Sequence, residues 1–92
     1  MKIPKTVKIL GHLYKVEIQK DSNSGNDNLG TQWGRHLKIW LNENQSVEKM
    51  EETFMHELIE AVNYHLEMEL KHHQISGMSE TLFQIFKDNK LF

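Results

Sequence analysis

The residues able to do chemistry gather in His56-Glu57-Leu58-Ile59-Glu60. On a helix, side chains four apart project from one face a turn apart, so His56 and Glu60 can reach the same divalent ion. This is the spacing of the H-E-x-x-H zinc motif, with glutamate in place of the second histidine. A carboxylate oxygen is a legitimate zinc ligand, and it makes the site harder and open to other divalent metals. Glu57, one step round the helix, stands where a carboxylate would take the proton of an attacking water. The same spacing is common on solvated faces. His56 and Glu60 share their side of the helix with Glu52, Asn63 and Glu67, and on spacing alone a polar face is the more frequent explanation. Glu57 falls instead at the edge of the apolar side, near Met50, Ala61 and Tyr64. A carboxylate there either snorkels to water or has a task.

A catalytic zinc takes three protein ligands, so one more is needed. The candidates are His65, His72 and His73. His65 falls within the apolar line of the first helix, away from His56, and reads as a core or partly buried histidine. On the second helix His72 lies about 75° from the centre of the apolar stripe, in line with Ile75, Ser79 and Phe86. His73 lies nearly opposite that stripe, with Ser76, Glu80 and Gln84. The wheel therefore favours His72 as the third ligand and turns His73 to water. His12 and His36 fall at strand or turn positions and read as surface residues.

The elements that must position these groups divide the chain in two. Ser46 suits an N-cap, with Glu48, Glu51 and Glu52 following where the helix dipole favours acids. Met50, Phe54, Leu58, Ala61, Val62 and His65 define one apolar line; Ile75, Met78, Leu82, Ile85 and Phe86 define a second. The two are out of phase by roughly a quarter turn. One straight helix cannot bury both, so a reversal is expected within Glu67 to Lys71, giving helices of about 20 and 17 residues. Upstream, Thr6 to Leu10 and Leu13 to Gln19 read as strands, with Gly11-His12 as a two-residue turn. Tyr14, Val16 and Ile18 share one face of the second strand. Asp21 to Asn28 is nearly all turn-forming residues and reads as a loop. Leu29 to Trp33 is a short strand, and His36 to Leu41 another, with Leu37, Ile39 and Leu41 facing one way.

Ninety-two residues make one domain, with residues 1–45 as its sheet region and 46–92 as its helices. A core this small gains from a bound metal. Hydrophobic residues at 38% and charged residues at 26% describe a folded globule, not a disordered tail. A formal charge of −2 leaves no basic footprint, so nucleic acid is not expected as a partner, and Trp33 and Trp40 read as packing or surface aromatics. No apolar run approaches membrane length, and Met1-Lys2-Ile3-Pro4-Lys5 does not look like the start of a signal peptide. The absence of cysteine excludes disulfides, thiolate zinc sites and cysteine nucleophiles, and agrees with a cytoplasmic location.

The run Thr53-Phe54-Met55-His56-Glu57-Leu58-Ile59-Glu60-Ala61-Val62-Asn63-Tyr64 resembles the small zincin-like proteins encoded by phages and prophages, which look like minimal metallopeptidases. The resemblance continues through Leu70-Lys71-His72-His73-Gln74-Ile75 and Leu82-Phe83-Gln84-Ile85-Phe86-Lys87-Asp88-Asn89. It also takes in Ile9-Leu10-Gly11-His12-Leu13-Tyr14-Lys15-Val16 and Leu29-Gly30, and so covers nearly the whole chain. It implies an α+β fold in which a small, mostly antiparallel sheet of three or four strands precedes an active-site helix and a supporting helix. Carried over by position, His56, Glu60 and His72 hold one Zn2+ or another divalent ion, and Glu57 is the general base. The implied activity is that of a zinc metallopeptidase-like hydrolase acting on peptide or protein in a bacterial host cell. Many relatives have histidine where this chain has Glu60, and that departure bears on catalysis. The alternative is a non-catalytic binding or regulatory protein on the same scaffold. In zincins an edge strand beside the site binds extended peptide, and His36 to Leu41 is the expected candidate.

Overall fold

A two-residue hairpin opens the fold. In a computed structural model that describes residues 2–20 and 29–91, β1 (Thr6–Ile9) pairs antiparallel with β2 (His12–Gln19), and Ile9 lies opposite His12. The loop is therefore Leu10-Gly11, one residue earlier than the expected Gly11-His12. Both loop residues have positive φ, 50° and 84°. That is the pattern of the hairpin turn whose twist matches its strands. Only the glycine takes it freely; Leu10 adopts it with its side chain in solvent. The expected loop at Asp21 to Asn28 lies outside the described residues.

The chain continues through β3 (Gly30–Trp33), a single 3-10 turn at Gly34–His36, and β4 (Lys38–Asn42). The order across the sheet is β1-β2-β4-β3. β1 with β2 and β3 with β4 are antiparallel, while β2 and β4 run parallel with Val16 opposite Ile39. The sheet is thus mixed, with two of its three pairings antiparallel. This order corrects the expected edge. β4 is an inner strand bonded on both sides, and the border strand beside the helices is β3. The strand expected from His36 also starts later, because the 3-10 turn takes up Gly34 to His36 and Leu37 closes it at φ 53°.

Ser46 caps α1 (Val47–Leu66) by accepting the Lys49 amide at 3.1 Å. Ile39 and Leu41 of β4, Tyr14 of β2 and Ile9 of β1 meet Phe54 and Ala61 of α1 in one buried cluster. The β4 alternation is as the period-2 pattern predicts; in β2 Tyr14 is buried, Val16 half-buried and Ile18 exposed.

α1 ends where the phase break predicts. Glu67 turns left-handed, and the amides of Met68 and Leu70 bond to the carbonyl and side-chain oxygens of Asn63 at 3.2 and 2.9 Å. α2 (His72–Asp88) starts with the Lys71 amide held by the Gln74 side chain at 2.8 Å. α2 packs chiefly on α1. Its buried side is Ile75, Ser79 and Phe83, spaced four apart, which leaves Met78, Leu82 and Ile85 of the expected stripe exposed. The rotation turns Ser79 and His72 towards α1. Neither helix is long and apolar enough to cross a membrane.

Candidate metal centre

α1 supplies His56, Glu57 and Glu60, and α2 supplies His72. His56 Nε2 lies 3.6 Å from Glu60 Oε2, as the four-residue spacing requires. The His56 and His72 rings face each other across the helix pair, with centroids 5.3 Å apart and planes tilted by 55°. One donor atom from each of His56, Glu60 and His72 lies within 4.8 Å of the other two, so the three could hold a metal ion. Donors about 2.1 Å from a tetrahedral zinc stand about 3.4 Å apart, so the His56–Glu60 pair is already near that spacing. His72, on the exposed start of α2, has only to close a short gap. Two imidazoles and a carboxylate also suit zinc chemically, without excluding neighbouring divalent metals.

The surroundings of His56 act on its protonation. Burial lowers its pKa; Glu60 opposes that shift, while His72 adds to it. The ring is therefore held towards its neutral form, with a lone pair to give. Ser79, almost fully buried, donates its hydroxyl to the Ser76 carbonyl at 3.0 Å and places Oγ 3.4 Å from His56 Nδ1. In the tautomer with its proton on Nδ1, that proton points at the serine oxygen and the Nε2 lone pair is the one on Glu60's side of the ring. Outer partners of this kind orient ligating histidines. Ser76 Oγ stands 3.4 Å from His72 Nε2.

Glu57 is 6% exposed, an unusual position for a carboxylate. Burial pushes its pKa up to about 8; the charge of Glu60 adds to the rise, and the backbone amide of Gln32 on β3 opposes it. The edge-of-face position read from the sequence is thus a buried one, and the snorkelling alternative does not hold. Glu57, His56, Glu60 and His72 open on one cleft of about 540 Å³, bounded on its far side by Leu29 to Gln32.

The polar side of α1 therefore borders this cleft. Glu52, His56 and Glu60 line it, whereas Asn63 holds the interhelix reversal and Glu67 caps the helix. His73 is exposed and outside the cluster. His36 is exposed in the 3-10 turn. His65 is partly buried, hydrogen-bonded to Tyr14 at 2.5 Å and stacked on His12, so neither joins the cleft. Two contributors were not singled out from sequence, Ser79 and the Gln32 amide. A serine within the otherwise apolar series Ile75-Ser79-Phe83 is the signal that points to the first; a backbone amide leaves none. No protein-family model, curated protein or solved structure matches the chain.

Proposed function

We propose that this chain is a zinc-dependent hydrolase whose substrates are peptides. The observation that carries this reading is the convergence of His56, Glu60 and His72 beside the buried carboxyl of Glu57, in a cleft large enough for a peptide segment. A zinc ion bound by these three residues would polarise a substrate carbonyl and make water a stronger nucleophile near neutral pH. Ser79 keeps His56 turned so that Nε2 faces the cleft. Glu57 accepts the proton of the attacking water and returns it to the leaving nitrogen. Burial holds the Glu57 carboxyl above the usual carboxylate range, which suits a group that must both take and give a proton. The sequence resemblance supports the peptide as substrate, and β3 lies alongside the site where an extended chain would run.

The test separates binding from turnover. Purified wild-type protein should hold one zinc per chain by elemental analysis and cleave members of a peptide mixture. Glu57→Gln should keep the zinc and lose turnover by a hundredfold or more, on the order of what a general base supplies. Protein that takes up no zinc under titration ends the proposal. Zinc-loaded protein without turnover returns the chain to a binding or regulatory role.

A further inference from the structure

β3 and α1 run side by side in the same direction. A Cβ at Gly30 would meet Thr53 Cγ2 at 2.7 Å, the Gln32 amide reaches Glu57, and a Cβ at Gly34 would run into the Tyr64 ring. The boundary between strand and helix therefore passes the metal cleft and continues one turn further, from Glu60 to Tyr64. There it opens into a second cleft, also of about 540 Å³, lined by Gln32, Trp33, Gly34, Arg35, His36 and Tyr64. Gln32 lines both clefts.

The chemistry of this second cleft differs from that of the first. Trp33 and Tyr64 are 51% and 48% exposed, so two large aromatic side chains stand half open in one small area. Gly34, buried between them, is the residue that lets the Tyr64 ring lie against the backbone. Arg35 is exposed and has no ionic partner among the described residues. Paired aromatics take up a large apolar side chain, and a free guanidinium takes up a carboxylate. Residues of these types carry most of the affinity where binding sites have been dissected. The separation is also suitable: an extended chain advances about 3.3 Å per residue, and one helical turn from Glu60 to Tyr64 spans about 6 Å.

We propose that this cleft is a specificity subsite of the same groove. It receives a large apolar side chain of an extended peptide about two residues from the bond held at His56, Glu60 and His72, with Arg35 pairing to a carboxylate next to that side chain. The proposal rests on the hydrolase reading for the identity of its ligand, and it adds the class of peptide selected.

The probes are two fluorescent decapeptides of glycine and serine, one with a central Asp-Phe-Asp and the other with a central Lys-Ser-Lys. Zinc-loaded Glu57→Gln protein should bind the first about tenfold more tightly than the second, and Trp33→Ala in that background should remove most of the difference. Arg35→Glu, at an exposed position, should move the preference towards the lysine peptide, and it decides the matter should Trp33→Ala fail to fold. Equal affinity for the two peptides, no binding of either at millimolar concentration, or a preference indifferent to both substitutions overturns the proposal. Cleavage by wild type distinguishes the two levels. Turnover with no selection for the acidic aromatic peptide removes the subsite and leaves the hydrolase. Selective binding through Trp33 and Arg35 without turnover of any peptide removes the hydrolase and leaves the subsite.

Discussion

Two pairs of histidines sit on α1 and its neighbours, and they differ in ring geometry and in the groups around them. His56 and His72 face each other from two helices, tilted by 55°, with Glu60 beside them and Ser79 behind. His65 and His12 lie nearly parallel, 9° apart in plane and 4.3 Å between centroids, with Tyr14 and Tyr64 around them. An imidazole lone pair lies in the plane of its ring. Tilted rings can aim two lone pairs at one point, whereas stacked rings aim them along parallel lines. Among the described residues the second pair also has no anionic donor grouped with it, and His65 Nε2 is engaged by Tyr14 whichever tautomer the ring adopts. Histidine count alone does not make a metal site. Convergence, a carboxylate and an outer partner do.

The comparison breaks first on metal content. His56→Ala should reduce zinc affinity by a hundredfold or more, on the order expected when one of three ligands is removed, while His65→Ala should leave it unchanged. Calorimetric zinc titration of both variants reads the contrast. Equal losses would mean that the His12–His65 pair binds zinc too.

The next effect is on stability. In metal-free protein Glu57 has its pKa raised from 4.5 to about 8 by burial. A raised carboxyl pKa means that the folded state holds the proton more tightly than the unfolded one. Its favourable contribution is complete below pH 4.5 and fades as pH rises to about 8, at about 1.4 kcal/mol per unit of pKa difference. Glu57→Gln should therefore stabilise the metal-free protein, by an increment that grows across this window and is flat above it. Urea unfolding at a series of pH values checks the slope.

Local features of this contrast were legible in the sequence, and non-local ones were not. The His56–Glu60 spacing is a property of one helix. The Ser46 cap and the break after Leu66 follow from a capping residue and from two apolar lines out of phase. Choosing His72 over His73 needed only the wheel of α2. The parallel pairing of β2 with β4 could not be read, because it depends on strands distant in sequence, and with it went the identity of the border strand. The Leu10-Gly11 loop was displaced because leucine is a poor residue for a left-handed turn, and strand pairing overrode that preference. Ser79 and the Gln32 amide gained their roles only when α2 and β3 came against α1.

A smaller effect tests the structural pair. Tyr14 is fully buried, and burial together with the nearby Tyr64 raises its pKa, so its phenol stays protonated. His65→Ala strips the hydroxyl of its hydrogen-bond partner and should cost about 1–3 kcal/mol of folding free energy. Tyr14→Phe in the same background should recover part of that loss by removing the stranded hydroxyl. Chemical denaturation of the three variants reads the cycle. Additive losses from the two substitutions would mean that the hydrogen bond contributes nothing.

The smallest effect falls on Ser79, which stands behind His56. Ser79→Ala keeps a small side chain in the packed line between Ile75 and Phe83, so the helix interface should survive with little change. What disappears is the oxygen 3.4 Å from His56 Nδ1. Without it the ring is free to flip or to take the other tautomer, and zinc affinity should fall by about tenfold. Ser79→Thr retains a hydroxyl and should restore part of the affinity if the methyl group fits. A competitive zinc titration read with thermal melts of the metal-free variants separates the two roles of this residue. Lower affinity at unchanged metal-free stability marks Ser79 as positioning His56. Equal affinity with lower stability would make it a packing residue, and the contrast between the two histidine pairs would then rest on ring geometry and Glu60 alone.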